Sequence, residues 1–218
     1  MDLDLIKTEL QKQDFYYRLQ AIVALKDYPA EVALPLLKNH FQDPEFVVRS
    51  FVARQLGIYH TPESSAILIQ LLKDNNPNVR AEAANSISLF GDSTAPDLVK
   101  IFLSDKHWLV RISVMAALID MARHAEVLEV CIHGVADEDE TVQETSVDGF
   151  ISLVGSHQRT AALSQLLTLK DSELPHIRIR VARALKHFDE PEAKAAILQL
   201  RQDPDHRVVG AAMEDLLP

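Results

Sequence analysis

Four arginines recur at a fixed spacing in the first half of the chain: Arg18, Arg49, Arg80 and Arg111 each follow the previous one by 31 residues. A guanidinium group can donate two parallel hydrogen bonds to a carboxylate or a phosphate. Because the spacing is regular, these arginines belong to one structural unit that is copied along the chain. We expect them to bond acidic side chains, or helix-end carbonyl groups of a neighbouring copy, and so to be structural. The natural acceptors are Asp43, Asp74 and Asp105.

The histidines and the cysteine do not form a convincing metal site. The chain has nine histidines, but Cys131 and His133 form an isolated pair and the other histidines are scattered. Cys131 lies in an apolar stretch, so we expect an inert thiol in the core. No glycine-rich phosphate loop or G-x-S-x-G elbow is present. We therefore predict no metal, no resident cofactor, and a binding protein rather than an enzyme.

Seven copies of the unit, which we call repeats 1 to 7, account for nearly all of the 218 residues. The central position is arginine in the first four repeats. In repeats 5, 6 and 7 it is occupied by Gln143, Arg178 and Val209, respectively. Apolar residues at helical spacing predict two helices in each repeat. Counted from the central residue, positions −1, +3, +4 and +7 of the second helix share one face and should form the core.

Helix boundaries are indicated by proline, aspartate and glycine. Proline suits the first turn of a helix, and Pro29, Pro62, Pro96 and Pro191 should mark first helices. Pro35 lies inside a helical pattern and predicts a late start or a bend. Five aspartates, six residues before the central position, should bond free N–H groups at the start of second helices: Asp43, Asp74, Asp105, Asp137 and Asp203. Gly57, Gly91 and Gly155 should end second helices in a left-handed conformation.

Composition and charge exclude several classes of protein. Hydrophobic residues make up 47% of the chain, there is one cysteine, and the net charge is −10. The negative charge disfavours nonspecific binding to nucleic acid. The acidic N-terminus is neither a signal peptide nor a membrane span. We expect one domain, residues 1–218, in a soluble protein of the cytoplasm.

The motif D-P-x-x-x-V-R-x-x-A-A-x-x-L is written out at Asp43–Gly57 (DPEFVVRSFVARQLG), Asp74–Ile87 and Asp105–Leu118. It resembles the HEAT-like repeats of the bilin lyase and phycobilisome-degradation family. The resemblance implies an all-α fold, a right-handed α-solenoid (α-α superhelix) of about seven two-helix repeats, whose second helices line a concave binding face. Some members attach, transfer or detach bilin chromophores on phycobiliproteins, alone or with a partner chain, and others are adaptors.

Two other HEAT-type classes resemble this architecture less closely. The di-iron enzymes that hydroxylate a modified lysine use His-Glu dipeptides, and this chain has none. HEAT-like DNA glycosylases need a strongly basic concave face. Here only the group Arg178, Arg180, Arg183 and Lys186 is basic, so we predict no nucleic-acid partner.

Candidate binding residues are those that point away from the core, at positions −2, +1, +2, +5 and +9 of the second helices. Large apolar groups occupy many of these positions in repeats 1, 2 and 4, and basic ones in repeat 6. The predicted partner-binding residues are Tyr16, Leu19, Phe51, Arg54, Trp108, Leu109, Ile112, Arg180 and Arg183. An alternative is that about half of the apolar ones are core. Trp108, Phe15 and Phe46, all at −3, are interpreted as packing residues, with an anchor at the groove rim as the alternative.

The function predicted from these observations is that of a scaffold or adaptor that binds a helical protein partner on the concave face. The family resemblance points to a phycobiliprotein or another phycobilisome component as that partner. The alternative is a bilin lyase-like or chromophore-detaching factor, with bilin as a transient ligand near Trp108, Ile112, Arg180 and Arg183. Whether the chain acts as a monomer or as half of a heterodimer is left open.

Overall fold

The computed structural model describes residues 1–214, and every regular element in that range is helical. Fourteen α-helices form seven consecutive pairs, as the repeats predict. Their bounds are α1 Leu3–Glu9, α2 Phe15–Ala24, α3 Ala30–Lys38, α4 Phe46–Leu56, α5 Pro62–Leu71, α6 Pro77–Ser88, α7 Ala95–Ser104, α8 Trp108–Asp120, α9 His124–Gly134, α10 Glu140–Gly149, α11 Arg159–Leu169, α12 Pro175–Leu185, α13 Pro191–Leu200 and α14 His206–Met213. Odd numbers are first helices and even numbers are second helices. Short 3-10 turns follow α2, α10 and the end of repeat 3.

The helices group into two compact units, the first spanning Met1–Ala117 and the second beginning at Leu118. Within the first unit the second helices α2, α4 and α6 pack in sequence. Within the second unit α10, α12 and α14 do the same, while α9, α11 and α13 form the layer of first helices. Each unit is therefore a stack of helix pairs, as expected of an α-solenoid, and one continuous domain stays a prediction.

The apolar stripe predicted for the second helices is the core. In repeat 2, Val48, Val52, Ala53 and Leu56 are fully buried, and the same four positions of repeats 3 and 4 are at most 4% exposed. Small side chains allow close contact between neighbouring helices. A Cβ atom added at Gly57 would lie 3.1 Å from Cβ of Ser86, so α4 and α6 approach closely at their C-terminal ends.

The arginines in the central position join successive repeats. Arg18 donates through Nε and one terminal nitrogen to the carboxylate of Asp43 at 2.8 and 2.9 Å. The pairs Arg49–Asp74, Arg80–Asp105 and Arg178–Asp203 repeat this geometry, with the Nε bond at 2.6 to 2.7 Å. We call these four pairs the arginine–aspartate ladder. Its arginines are largely buried, as expected of a structural role.

Each ladder arginine also donates to a carbonyl group six residues before it. Arg49, for example, donates to the carbonyl of Asp43 at 2.7 Å, which lies in its own repeat. The expectation of a carbonyl from a neighbouring copy was therefore wrong, because the guanidinium reaches the turn that precedes its own helix. One arginine thus fixes two consecutive turns.

The ladder aspartates have a second role at the start of the following helix. Oδ1 of Asp74 accepts the backbone N–H of Asn76 at 2.8 Å, and Asp43, Asp105, Asp137 and Asp203 accept from the residue two positions on in the same way. Burial raises the pKa of Asp74, but the hydrogen bonds from Arg49 and Asn76 outweigh burial, and the pKa lies below its usual value. The predicted acceptors thus order the turn before each helix, whereas the helix N–H groups themselves are capped by Asn76, Asp139 and Asp205 in α6, α10 and α14.

Repeats 5 and 6 replace ladder residues with other hydrogen bonds. Nε2 of Gln143 donates to the carbonyl of Asp137 at 2.6 Å, and its Oε1 lies 2.8 Å from Nε2 of His176 in the next repeat. In repeat 6, Oγ of Ser172 accepts the N–H of Leu174 at 3.3 Å where other repeats have aspartate. Neutral groups therefore preserve the turn contacts where the charged ones are missing.

Proline and glycine give a mixed outcome. Pro62 and Pro191 begin α5 and α13, and Pro96 lies in the first turn of α7, as predicted. The late start at Pro35 was wrong, because α3 begins at Ala30 and contains Pro35. Of the three glycines only Gly91 is left-handed, with φ of 92°, while Gly57 is helical. The other left-handed residue in the described range is Ala122, with φ of 53°, at the end of α8.

Replacing Arg80 with alanine should lower the free energy of unfolding by about 2 kcal/mol, because Asp105 and the carbonyl of Asp74 both lose their hydrogen bonds from the guanidinium in a largely buried setting. Urea unfolding followed by circular dichroism measures this change. The matched control is Arg54→Ala, since Arg54 is also paired with a carboxylate but its side chain is 56% exposed, and it should cost less than about 1 kcal/mol. Equal stability of the two variants would contradict a structural role for the ladder.

Replacing Ala122 with glycine should raise the free energy of unfolding by about 0.5–1 kcal/mol, because a left-handed conformation is strained for alanine and not for glycine. The same alanine-to-glycine change at the exposed Ala116 inside α8 is the control, and it should lower stability by about 1 kcal/mol. Urea unfolding of both variants gives the comparison. Destabilisation of similar size at both positions would refute strain at Ala122.

Candidate protein-interaction surface

The residues that point away from the core form the outward surface of the second helices. Position +1 residues lie between adjacent second helices: Leu19 and Ile112 are half-buried, and Ala81 is 6% exposed. Position +5 residues are more open, and Val23, Arg54 and Arg183 are exposed. Position +1 residues are therefore more covered than position +5 residues, and the alternative that about half of the apolar set is core stays a prediction.

In repeats 1 and 2 the candidate residues combine aromatic rings with one cation. Tyr16 is 56% exposed at the first turn of α2, and Leu19 lies one helical turn further on. Phe51 is half-buried on α4, and the guanidinium of Arg54 lies 5.1 Å from the centre of its ring. Arg54 also donates to both carboxylate oxygens of Glu82 at 2.8 and 2.9 Å. The structure thus brings Phe51 and Arg54 together and holds them in place from α6.

In repeat 4 the candidate residues occupy the start of α8. Trp108 is 40% exposed and its ring stacks on His107, with centroids 5.8 Å apart. Leu109 and Ile112 are half-buried and lie three residues apart on the same helix. Phe15 and Phe46, at the position equivalent to Trp108, are 42% and 38% exposed. Each of the three is therefore more than half covered and partly accessible, and their interpretation as packing residues, with an anchor at the groove rim as the alternative, stays a prediction.

In repeat 6 both candidate arginines are already paired. Arg180 donates to Glu144 at 2.6 Å and to Asp148 at 3.1 Å, both on α10. Arg183 donates to Glu214 at 2.7 Å. The role of these arginines in attracting acidic groups of a partner stays a prediction, and the structure adds that a partner must compete with the carboxylates of the chain.

The sequence reasoning places Glu144 and Asp148 at outward positions of repeat 5, but it missed their pairing with Arg180. Burial raises the pKa of Asp148, with repulsion from Glu144 adding to it, and together they outweigh the attraction of Arg180 and Arg183. A signal for the network exists in the sequence. Position +5 of one repeat pairs with position +2 of the next, as Arg54 with Glu82 and Asp148 with Arg180, so opposite charges at those two positions indicate a pair.

Other candidate chemistry is limited. Cys131 is fully buried, as predicted, and burial raises the pKa of its thiol to about 12. Among residues 1–214 there is no group of three or more histidine, cysteine, aspartate or glutamate side chains that could hold a metal ion. In the same range, no helix combines the length and apolar character needed to cross a bilayer.

The family model described as HEAT repeats matches residues 3–88, 42–119, 65–149 and 128–217. The chain belongs to the HEAT-repeat family. Deoxyhypusine hydroxylase of Candida albicans is 29% identical over 117 residues, which are 52% of this chain. The chain spans only 37% of the length of that curated relative.

Two solved structures share the HEAT-repeat fold. A chain of the Kap95p complex with RanGDP matches with a TM-score of 0.68 and 17% identity, over 95% of this chain and 34% of that chain. The phycocyanin lyase complex of CpcE and CpcF from Nostoc sp. PCC7120 matches with a TM-score of 0.55 and 17% identity, over 100% of this chain and 95% of that chain. At these identities the likeness concerns the fold, and the HEAT-repeat scaffold supports a role in protein interaction.

The thiol of Cys131 should not react with a thiol-specific disulfide reagent at pH 8 while the protein is folded, because at a pKa of about 12 almost none of the thiol is ionised and the sulfur is buried. It should react fully once the protein is unfolded in guanidinium chloride. The variant Ser164→Cys places a second thiol at an exposed position of α11 and supplies the control. Folded wild-type protein that reacts as fast as this variant would place the thiol outside the core.

Proposed function

We propose that this HEAT-repeat protein is a scaffold that binds a helical segment of a partner protein on the outward surface of its second helices. The observation that carries the proposal is a set of apolar side chains in repeats 1, 2 and 4 that keep part of their surface accessible: Tyr16 is 56% exposed, and Phe51 and Ile112 are half-buried. Exposed apolar surface marks interaction sites in proteins, and here it is interrupted in repeat 3, where Asn78, Glu82 and Asn85 take outward positions. Because these side chains are partly packed against their own helices, they are held in place before binding, which lowers the entropic cost of association.

The mode of binding follows from the arrangement of the second helices. Residues at position +1 of the second helices are half-buried, whereas residues at position +5 are exposed. The surface of successive second helices therefore consists of ridges formed by the exposed residues and grooves lined by the half-buried ones. An amphipathic helix can place its apolar face in such a groove, with contacts at intervals of three and four residues. Arg54, held over Phe51 by Glu82, supplies a polar rim to that groove.

The family resemblance of the repeat motif favours a phycobiliprotein, or another component of the phycobilisome, as the partner, and we propose that the complex forms in the cytoplasm. Bilin lyase-like or chromophore-detaching activity is the alternative within the same family. A bilin carries propionate groups that require free cations, and Arg180 and Arg183 are bonded to Glu144, Asp148 and Glu214. The cost of breaking these pairs favours the adaptor over the bilin-handling factor.

The proposal is tested with immobilised protein and purified phycocyanin as the probe. The double variant Phe51→Ser, Ile112→Ser should bind phycocyanin at least tenfold more weakly, because two apolar contacts are lost from the surface. Tyr16→Ser is a second variant whose side chain is more than half exposed, so its effect on folding is small. The matched control is Leu198→Ser, which removes a side chain 58% exposed on the first helix α13.

Circular dichroism establishes that each variant is folded. Equal capture by wild-type protein and both surface variants would refute the proposed surface, and absence of capture would refute phycocyanin as the partner. The visible absorption of phycocyanin in the mixture separates the two functions. An unchanged spectrum supports the adaptor, and bleaching or a shift supports the bilin-handling alternative.

A further inference from the structure

Repeat 1 leaves open a position of its second helix that is buried in the repeats that follow it. Position −1 is Val48, Val79 and Val110 in repeats 2, 3 and 4, and all three side chains are fully buried. In repeat 1 this position is Tyr17, which is 42% exposed. The difference arises because the preceding repeat covers position −1 in repeats 2 to 4, whereas nothing among the described residues covers it in repeat 1.

The first helix of repeat 1 shows the same difference. Position −13 is Ile67 in repeat 3 and Leu98 in repeat 4, both at most 4% exposed, but Leu5 in repeat 1 is 44% exposed. Position −16 is the fully buried Ala95 in repeat 4 and the exposed Asp2 in repeat 1. One side of the α1–α2 pair therefore has the character of a contact between repeats and is open. Solenoids require a polar outer face on a terminal repeat, and here the face is partly apolar.

We call this open side, formed by Leu5, Glu9, Lys12 and Tyr17, the end face. Lys12 occupies position −6, where repeats 2, 3 and 4 have the ladder aspartate. Its ammonium group lies 5.8 Å from the centre of the Tyr17 ring, which places the cation beside the open apolar groups. Lys12 is exposed and forms no ion pair within residues 1–214. The ladder is therefore replaced on the end face by an unpaired cation.

Glu9 is the second unusual residue of the end face. It occupies position −9, which is Leu71 in repeat 3 and Phe102 in repeat 4, each 3% exposed. The Glu9 side chain is half-buried, and its Oε2 atom is buried with no hydrogen-bond partner in the described part of the chain. A carboxylate in this setting has lost water without gaining a donor, so a cation that approaches it from outside would stabilise its charge.

A second copy of the chain does not satisfy these charges by extending the stack head to tail. In the ladder, the residue at position −6 bonds the central residue of the repeat before it. A repeat stacked on repeat 1 in that way would bring its central residue to Lys12. The central residue is arginine in repeats 1 to 4 and 6, which repels Lys12, and the neutral Gln143 and Val209 of repeats 5 and 7 leave the lysine without a carboxylate.

We propose that the end face binds the end face of a second copy about a two-fold axis. In such a contact, residue i of one copy meets residue j of the other, and residue j meets residue i. Lys12 of each copy then pairs with Glu9 of the other, and Leu5 and Tyr17 are covered by their counterparts. The end face selects a second copy because it carries both the cation and the carboxylate that an identical face lacks partners for.

The contact is small. Helices α1 and α2 have 7 and 10 residues, and at about 1.5 Å per residue they present a face roughly 10 to 15 Å long. A standard interface buries about 800 Å² per partner, so this dimer should dissociate on dilution. The end face shares no residue with the surface under the proposed function, and dimer formation and capture of phycocyanin can therefore fail independently.

Sedimentation equilibrium of the full chain at low salt tests the proposal. Over concentrations from about 1 μM to about 500 μM the average mass should rise from the 24.4 kDa of one chain towards twice that value and no further. Any purification tag is placed at the C-terminus, because an N-terminal tag would lie beside the end face. Added salt should weaken the association by screening the two ion pairs.

Charge variants assign the contact to Lys12 and Glu9. Lys12→Glu and Glu9→Lys should each weaken self-association at least about tenfold, because each end face then carries charges of one sign. An equimolar mixture of the two variants should associate again, since every glutamate of one variant meets a lysine of the other. The matched control is Lys7→Glu, the same change at an exposed residue of α1 on the side away from Leu5, and it should leave self-association unchanged.

Tyr17→Ser tests the apolar part of the contact and should also weaken self-association at least about tenfold. Circular dichroism establishes that each variant is folded. If the half-buried position of Glu9 does not accept lysine, Lys12→Glu and Tyr17→Ser decide, and unchanged self-association in both would overturn the proposal. A mass of one chain at every concentration, assemblies that grow beyond two chains, or a mixture of folded charge variants that stays monomeric would each overturn it as well.

Discussion

The arginine–aspartate ladder is the interaction on which the rest of the structure depends. Each arginine bonds the carbonyl of its own preceding turn and the aspartate of the next repeat, and each aspartate also accepts the first free N–H of its own turn. Burying a guanidinium and a carboxylate costs free energy, and this cost is offset only when their hydrogen bonds are made. Because the ladder provides all of these bonds within two turns, it sets the register of one repeat on the next without using the outward surface.

Because the ladder residues set the register of the repeats, the other positions of each repeat are free to vary. The central position tolerates Gln143 because an amide can still donate to the carbonyl of Asp137 and bond His176. Outward positions carry aromatic and aliphatic groups in repeats 1, 2 and 4, and ion pairs in repeats 5 and 6. Neither set is needed for stacking, since the ladder and the core stripe already supply it. The surface of the second helices can therefore be specialised for binding at little cost in stability.

Most of the fold could be predicted from the sequence, because it follows from local rules repeated with a fixed period. The core stripe at positions −1, +3, +4 and +7 is a consequence of helical geometry, and the arginine and aspartate partners share one spacing. The left-handed residue at Ala122 was missed because glycine was taken as its only signal, whereas Gly57 is helical and lies in close approach to Ser86, where a side chain would be tight. The period of apolar residues within one helix gives no information on the distance between Gly57 at the end of α4 and Ser86 on α6.

The candidate surface was harder to predict for the same reason. Whether Trp108 packs or stays open depends on what lies beside the first turn of α8, and whether Arg180 is free depends on the offset between α10 and α12. Both are properties of lateral packing. The two units carry chemically different groups on their second helices. In the first unit, apolar groups favour association through water released on contact. In the second unit, Arg180 and Arg183 are paired, so a carboxylate from outside gains from them only if it replaces an existing bond, which favours discrimination over affinity.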